Sequence, residues 1–245
     1  MTLPAGTTIT WYGHSCIRID TAGGRTIIVD PWFANPNSPL PADAVDRCDV
    51  LLVTHGHFDH FGDALAIASR LRPAWPCIHE MSLWLARQLP DGADAVIGMN
   101  KGGTVEVEGI RMSMVHADHS AGDWNDAGST TLYLGDPVGF AIELEDGYRM
   151  LATGDTELFG DMALIRERYR PELVMLPIGG HYTMDPVAAA HAVELLGAHE
   201  VVPLHYGTFP VLTGTPEQLR AAIAARGLTG VTVHAPAPGG VIGTA

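Results

Sequence analysis

The fold is decided by a short stretch, residues 50–60, which has the sequence VLLVTHGHFDH. Its first half, residues 50–54, is a continuous apolar run of the length expected for a strand that is buried on both faces. Residues 60–72 follow with apolar side chains at helical spacing, so a helix is expected after the strand. A buried strand that leads into a helix predicts an α/β protein with its strands inside and its helices outside.

The polar end of this stretch has the form His-x-His-x-Asp-His. His55 and His57 are two positions apart in an extended segment, so their side chains point the same way. Gly56 between them allows the backbone to turn tightly. Asp59 and His60 come at the start of the next helix, from where they can reach a second metal ion. The pattern predicts a metal site with imidazole and carboxylate ligands, which suit zinc, manganese or iron.

Further ligand candidates come directly after other apolar runs. Two metal ions need about seven or eight ligands, and one ion with three ligands would leave Asp59 and His60 unused. Side chains at strand ends on the same rim can supply the rest. Four segments qualify: residues 115–120 (VHADHS), 152–156 (ATGDT), 178–182 (IGGHY) and 203–207 (PLHYG).

The rest of the chain predicts short strands and four more helices in a single domain, residues 1–245. The predicted strands are residues 7–12, 16–20, 26–30, 77–79, 104–108, 110–116, 130–134, 139–144, 148–152, 173–176 and 201–204. The predicted helices are residues 81–89, 161–168, 185–196 and 215–226. The last helix has Thr215 as its N-cap, Pro216 in its first turn and Gly227 as its stop. Pro203 places the final strand near an edge or a bulge.

Charge and composition restrict the partners. The chain has 245 residues, with 28 Asp and Glu against 14 Lys and Arg, a formal net charge of −14. Such a chain repels polyanions, so no nucleic-acid partner is expected. We expect no membrane partner, because there is no basic amphipathic stretch and no apolar run of about 18 residues. Without a signal-peptide pattern or a CxxC motif, we expect a cytoplasmic protein that acts on a small-molecule substrate.

Aromatic residues in the loops near the predicted rim have two interpretations. Trp32, Phe33 and Trp124 form the apolar wall of a substrate pocket, or they contact a second copy in a homo-oligomer. The sequence leaves both open.

Together, these motifs resemble the metallo-β-lactamase superfamily, and their order covers nearly the whole chain. A closer resemblance is to a family of small, poorly characterised bacterial metal-dependent hydrolases within it. The motifs that carry this resemblance are Gly13-His14-Ser15, Asp30-Pro31, Ala117-x-His119-Ser120, Gly154-Asp155-Thr156, residues 179–184 (GGHYTM) and Pro203-x-His205-Tyr206. The resemblance implies a four-layer αββα sandwich, with two metal ions at one edge between the sheets.

The resemblance also implies which residue binds which metal ion. It assigns His55, His57 and His119 to the first ion, Asp59, His60 and His205 to the second, and Asp155 to both. His116 rivals His119, and the Ala-x-His-Ser pattern of the family favours His119. The expected ions are Zn²⁺ first, with Mn²⁺ or Fe²⁺ as alternatives.

A metal ion lowers the pKa of bound water from about 15.7 toward about 7, so no serine or cysteine nucleophile is required. The expected reaction is attack by a metal-bridging hydroxide on an ester, lactone, amide or phosphodiester of a small substrate. The resemblance implies that Asp59 also orients this hydroxide. His181, which follows two glycines, is a candidate for catalysis and substrate binding. His14 either contacts substrate or caps a strand, and Asp30 holds a ligand's second nitrogen or a ligand-bearing loop.

Two other functions remain open alternatives. One is a metal-binding redox or sensor protein without hydrolytic turnover, and the other is a ribonuclease Z-like phosphodiesterase. The flavodiiron branch of the superfamily has Glu at the position of His57, which disfavours redox chemistry here. Ribonuclease Z has an extra arm that grips tRNA, whereas this chain has no basic insertion and a single lysine, Lys101. Because Arg and Lys are scarce near the motifs, substrates without phosphate are favoured.

Overall fold

The fold is built from short strands, seen in a computed structural model that describes residues 3–89, 91–125 and 130–244. In chain order, the strands are β1 (Thr8–Trp11), β2 (Ile17–Asp20), β3 (Thr26–Val29), β4 (Val50–Leu52), β5 (Trp75–Ile78), β6 (Val96–Met99), β7 (Thr104–Val107), β8 (Ile110–His116), β9 (Gly122–Asn125), β10 (Thr130–Tyr133), β11 (Val138–Glu143), β12 (Arg149–Ala152), β13 (Leu173–Pro177), β14 (Glu200–Leu204), β15 (Thr232–Val233) and β16 (Val241–Gly243).

The helices lie between these strands in the chain. They are α1 (Phe58–Phe61), α2 (Ala64–Leu71), α3 (His79–Gln88), α4 (Met162–Tyr169), α5 (Pro186–Leu196) and α6 (Pro216–Ala225), with short 3-10 helices at Ala42–Ala44 and Ala93–Ala95. In the described part of the chain, none of them has the length and apolar character required to cross a membrane.

Most strands belong to two sheets. The first has the order β16-β1-β2-β3-β4, and the second has the order β15-β14-β13-β12-β11-β8-β7. Strands β5 and β6 extend the first sheet, because Val50 and Ala74 form a parallel bridge. Strands β9 and β10 form a separate antiparallel hairpin.

The two sheets pack face to face between two helical layers. One buried cluster contains side chains from both sheets, namely Ile9, Ile17 and Ile27 from the first and Met112, Phe140 and Met150 from the second. A second cluster joins the other face of the second sheet to α4, α5 and α6. Strand β13 shows the alternation that this requires, since Met175 enters the first cluster and Val174 the second. With α2 and α3 packed against the first sheet, the expected αββα sandwich is confirmed.

Strand direction brings the predicted site residues to one edge. Strands β1, β3 and β4 run the same way, and β8, β12, β13 and β14 do so in the second sheet. The predicted site residues follow the carboxyl ends of these strands, as ligand-binding residues of α/β proteins commonly do.

The helix predicted over residues 60–72 is in fact two helices. Gly62 separates α1 from α2, and a Cβ atom at this position would lie 2.8 Å from Cδ1 of Trp32. The Asp63 side chain accepts a hydrogen bond from the Ala34 backbone at 3.0 Å. The break therefore lets the chain pack against the loop after β3, a long-range contact that helical spacing does not show.

Several other boundaries differ from the prediction. His79 begins α3 and does not end a strand, and the short strands β6, β9, β15 and β16 were not predicted. Strand β14 lies inside the sheet, yet β15 pairs only with Glu200 and Val201. Beyond Val201, β14 has no partner strand on the β15 side among the described residues. Pro203 is tolerated at this position because it has no backbone N–H that would need a partner there. Thr215 does cap α6, through a capping box with Gln218.

Candidate metal centre

The structure brings all seven predicted metal ligands together at the shared edge of the two sheets. They are His55 after β4, His57 before α1, Asp59 and His60 within α1, His119 after β8, Asp155 after β12 and His205 after β14. Five imidazoles and two carboxylates from four strand ends therefore converge on one place, although they are spread over 150 positions of sequence.

Three histidines form the first group. The ligand atoms of His55, His57 and His119 lie within 4.8 Å of one another, and Nε2 of His55 is 2.9 Å from Nδ1 of His57. Two nitrogen ligands of a tetrahedral zinc ion, each about 2.0–2.1 Å from the metal, lie about 3.3 Å apart. The spacing of this pair is thus close to that of two ligands on one cation.

The second group contains Asp59, His60 and His205 together with His14, and the possible ligand atoms of all four lie within 4.8 Å of one another. Asp155 lies between the two groups. Its Oδ2 is 2.9 Å from Nε2 of His205, 3.3 Å from Nε2 of His60 and 3.7 Å from Nε2 of His119. One carboxylate oxygen is therefore within reach of ligands assigned to both ions.

Three buried atoms of the cluster residues have no hydrogen-bond partner among the described residues: Nε2 of His60, Oδ1 of Asp155 and Nδ1 of His205. Leaving a buried polar group unsatisfied costs about 1–3 kcal/mol, and more when the group is charged. A cation bound to His60 and Asp155 would remove that cost at the first two of these atoms. The donor set of imidazole nitrogens and carboxylate oxygens therefore fits divalent metal ions.

The charges within the cluster are strongly coupled. Burial raises the pKa of Asp155, but the neighbouring His205 and His60 outweigh burial and hold this pKa well below its usual range. Conversely, burial lowers the pKa of His60 and His205, but Asp155 outweighs it, so that the pKa of His60 is well above the usual value and that of His205 rises to about 9. The buried carboxylates thus favour positive charge beside them.

In the first group, two histidines have lowered pKa values, in contrast to the raised pKa values of His60 and His205. Burial lowers the pKa of His55 well below its usual value, and it also lowers the pKa of His119. Both side chains are therefore neutral near pH 7, which is the state in which an imidazole binds a metal ion.

Asp30 fixes two of the ligand histidines from behind. Its Oδ2 accepts hydrogen bonds at 2.8 Å from Nδ1 of His60 and from Oγ1 of Thr54, and its Oδ1 accepts one at 2.8 Å from the Thr54 backbone. The Thr54 hydroxyl lies 3.0 Å from Nδ1 of His55. With Nδ1 held in this way, the Nε2 atom of each histidine is directed into the cluster. Asp30 therefore holds a ligand's second nitrogen, as the sequence indicated.

His14, predicted to contact substrate or cap a strand, lies behind the ligands. Its side chain is 0% exposed, and its Nε2 donates to Oδ2 of Asp59 at 3.0 Å. The hydroxyl of Thr208 lies 3.0 Å from Nδ1 of His14, and the backbone N–H of His205 donates to the His14 carbonyl. Burial lowers the pKa of His14 to about 4, so the ring is neutral at pH 7. The structure places His14 against two of the predicted ligands, Asp59 and His205.

Two other histidines lie outside the ligand groups. His181 is exposed, and its ring packs on that of Tyr182 with centroids 4.4 Å apart. His116 is also exposed and contacts Phe159 on the outer face of the second sheet. Of the two rivals in residues 115–120, the structure thus brings His119 into the cluster.

Four residues of this region have left-handed backbone conformations that sequence reasoning did not anticipate. The φ angles are 52° at His14, 47° at Asp30, 62° at His181 and 55° at His205. Such angles are uncommon for residues other than glycine and concentrate at functional sites. No single-sequence pattern marks them, because the surrounding structure imposes them.

A cavity of about 640 Å³ opens beside the cluster. It is lined by His57, Phe58, Asp59, His119, Ser120, Gly122, Asp155, Tyr182, His205, Phe209, Pro210 and Val211. The predicted wall residues Trp32 and Phe33 are buried, and Trp32 supports the wall by packing on Phe58 and Phe209. The side chain of Trp124 lies outside the described part of the chain.

The apolar wall itself was not predicted from the sequence. Phe58 and Tyr182 are each next to a candidate site residue, and Phe209 and Val211 follow His205 closely. The signal was available in residues 207–212 (GTFPVL), an apolar loop directly after a ligand.

A comparison with known protein families shows which family the chain belongs to. Residues 25–206 match the Beta-lactamase superfamily domain. The chain belongs to the metallo-β-lactamase superfamily. The fold and the clustered histidines and aspartates described above agree with this membership.

Relatives within the superfamily cover nearly the whole chain. The UPF0173 metal-dependent hydrolase of Koribacter versatilis is 46% identical over 215 residues, 87% of this chain and 90% of the relative. The one from Rubrobacter xylanophilus is 42% identical over 240 residues, 98% of this chain and 97% of the relative. The structure of Igni18, a metallo hydrolase from the archaeon Ignicoccus hospitalis, has a TM-score of 0.84 and 34% identity, and covers 96% of this chain and 97% of its own. Like these relatives, the chain described above is a metal-dependent hydrolase.

Proposed function

We propose that the enzyme is a dinuclear hydrolase of small, uncharged carbonyl substrates, with esters and lactones first and amides next. The observation that carries this proposal is the position of Asp155, whose Oδ2 lies within 3.7 Å of histidines from both ligand groups. A carboxylate at this position could bind to either of two neighbouring cations or to both. The five imidazoles and two carboxylates favour Zn²⁺, with Mn²⁺ or Fe²⁺ as alternatives.

When bound, two divalent ions would lower the pKa of a water nucleophile and polarise the carbonyl of the substrate. His55, His57 and His119 would hold one ion, Asp59, His60 and His205 the other, and Asp155 both. The chain's own residues keep this arrangement in place. The hydrogen bond from His14 fixes Oδ2 of Asp59, which lies 3.8 Å from Nε2 of His205, and Asp59 would orient the attacking water.

The cavity wall supports a substrate with an apolar substituent. Phe58, Tyr182 and Val211 are 57%, 58% and 43% exposed, and together they form an apolar patch on the cavity wall. Among the described residues that line the cavity, none is Lys or Arg. Because phosphate groups are commonly recognised by Arg and Lys, the wall favours an uncharged carbonyl substrate over a phosphodiester.

We further propose that His181 contacts the substrate or its leaving group. The ring of His181 packs on Tyr182, and the Tyr182 side chain lines the cavity. His181→Ala is expected to retain the bound metal and to lower kcat, and loss of metal would make His181 a ligand instead.

The proposal is tested by a hydrolysis screen of the metal-loaded enzyme. Short and medium-chain p-nitrophenyl esters, γ- and δ-lactones and bis-p-nitrophenyl phosphate are compared at equal concentration. We expect esters or lactones to have the higher kcat/KM, rising with acyl length because the wall is apolar. A clear preference for the phosphodiester, or a metal-loaded enzyme inactive on all three classes, contradicts the proposal.

Two histidine variants form a matched pair for the same assay. His119→Ala removes a residue of the first ligand group, so we expect kcat/KM to fall by at least about 100-fold. His116→Ala removes an imidazole three positions away that contacts Phe159 outside the cluster, so we expect little change. Equal effects of the two substitutions would contradict the assignment of His119.

A further inference from the structure

A second cavity, of about 370 Å³, lies on the outer face of the second sheet, away from the metal centre. Arg111 and Arg149 stand near the starts of β8 and β12, whereas the metal ligands follow the opposite ends of these strands. The last turn of α4 and the residue after it, Arg170, border the cavity. The cavity therefore forms where the helical layer stops covering the sheet.

The sheet register places arginines on both sides of a single carboxylate. Glu143 of β11 is directly opposite Arg111 of β8 on one side and Arg149 of β12 on the other. Arg111 contacts Glu143 at 3.4 Å, and Arg149 contacts Glu172 at 3.5 Å, both long for ion pairs. Next to this row, the hydroxyls of Thr104 and Ser113 lie 2.6 Å apart.

The end of α4 adds two more guanidinium groups. The Arg168 side chain donates to the Gly102 carbonyl at 3.3 Å and lies over the ring of Tyr169, 5.1 Å from its centroid. Among the described residues, neither Arg168 nor Arg170 forms an ion pair with a carboxylate. Four arginines thus meet three carboxylates, Glu143, Glu172 and Glu106, the last of which is directly opposite Arg111 on β7.

This local excess of one positive charge contrasts with the whole chain, whose net charge is −14 and which has only 14 Lys and Arg residues. Like charges held close together repel one another unless an anion lies between them. The planar guanidinium group donates paired hydrogen bonds that match the oxygens of phosphate. The hydroxyls of Thr104 and Ser113 are further groups able to bind such oxygens.

We propose that this cavity binds the phosphate group of a small molecule. Its volume is at the lower end of the range for small-ligand sites, about 300–1,000 Å³. A polyanion such as RNA is disfavoured, since the rest of the surface carries a large negative charge. The exposed rim beside Tyr169 offers a surface for the organic part of a phosphorylated ligand.

The test is calorimetric titration of the metal-loaded full-length protein at about 50 mM salt, where screening is weak. Inorganic phosphate and AMP are the two probes. We expect saturable binding of one probe molecule per chain, with Kd below about 1 mM. Tighter binding of AMP identifies a phosphorylated organic molecule as the ligand type, and equal affinities identify free phosphate; either result supports the site.

Four variants assign the binding to the cavity. Arg111→Gln and Arg168→Gln should each weaken binding about 10-fold, because a hydrogen bond to a charged group is lost. Glu143→Gln should strengthen it, because this carboxylate competes with the anion for both neighbouring arginines. Arg87→Gln, which removes an exposed arginine of α3, is the control and should leave the affinity unchanged.

Three results overturn the proposal. The first is the absence of saturable binding of either probe. The second is binding that persists in Arg111→Gln and Arg168→Gln but disappears in Asp155→Asn, which places the phosphate at the metal centre. The third is binding of a single-stranded RNA oligomer without binding of AMP or phosphate.

Discussion

At the scale of single residues, His14 connects the predicted metal ligands to the rest of the protein. Its side chain holds Asp59 and its backbone carbonyl accepts from His205, so one residue restrains two ligands. Partners of this kind orient ligands, and their loss typically costs about 10- to 100-fold in metal affinity. Because the ring is fully buried and neutral, we interpret His14 as a positioning residue for the second ligand group.

We predict that His14→Asn weakens metal binding at the second group about 10- to 100-fold, because asparagine is too short to reach Asp59. Asparagine tolerates the left-handed backbone of this position better than most residues, so the fold should be retained. The measurement is a competition titration with a chromophoric chelator, with His116→Ala as the control. Wild-type affinity of both ions in His14→Asn would contradict the role.

The residue types of the centre could be predicted from sequence, whereas their partners could not. His55 and His57 are marked by their spacing after an apolar run, and Asp155 and His205 by their position after other runs. The pairing of His14 with Asp59 joins residues 45 positions apart. Such a contact depends on how two strand ends meet, which one sequence does not encode as a pattern.

At the scale of elements, Asp30 ties the end of β3 to the end of β4 and to α1. It is 2% exposed and accepts from Thr54 twice and from His60 once. Its backbone N–H also donates to the Leu52 carbonyl at 2.9 Å. The sequence marks Asp30 only through Asp30-Pro31, yet the structure makes it the junction of three elements.

We predict that Asp30→Asn lowers the free energy of unfolding by about 2–4 kcal/mol, because an amide nitrogen would then face the Thr54 hydroxyl and His60. The measurement is urea unfolding of the metal-free protein, so that lost metal does not add to the effect. Asp43→Asn, at an exposed position, is the control and should change stability by less than about 0.5 kcal/mol. Equal values for the two variants would contradict this role of Asp30.

Helix ends were predictable where local chemistry sets them. Thr215, Pro216 and Gln218 form the start of α6 by contacts within one turn, so sequence alone places it. The break after α1 depends instead on Trp32, a residue 30 positions earlier. Local capping can be predicted from the sequence, and long-range packing cannot.

At the scale of the whole molecule, stability depends on the core between the two sheets. Phe140 is 0% exposed there and is opposite Met114 and Ala152 on the neighbouring strands. We predict that Phe140→Ala lowers the free energy of unfolding by about 3–5 kcal/mol, measured by urea unfolding.

The matched control is Leu164→Ala in α4, where the side chain is 59% exposed. We expect a change below about 0.5 kcal/mol, because little apolar surface is uncovered. A cost for Phe140→Ala no greater than that of Leu164→Ala would contradict the two-sheet core.

The order of layers could be predicted as a whole, but the closing strands could not. Buried runs and helices in alternation indicate an α/β protein, and the motif order adds the αββα arrangement. Strands β15 and β16 have two and three residues, too few for a periodic pattern. Yet β16 pairs with β1 and so joins the last part of the described chain to its first strand.

The central claim is that two metal ions share the ligands of this centre, and metal quantification tests it most directly. Protein purified without chelator and then reloaded is analysed by mass spectrometry of its metal content per chain. We predict two divalent ions in the wild type and about one in Asp59→Ala or His205→Ala, because each substitution removes a ligand of the second group. One ion or none in the reloaded wild type, or two in both variants, would contradict the dinuclear centre.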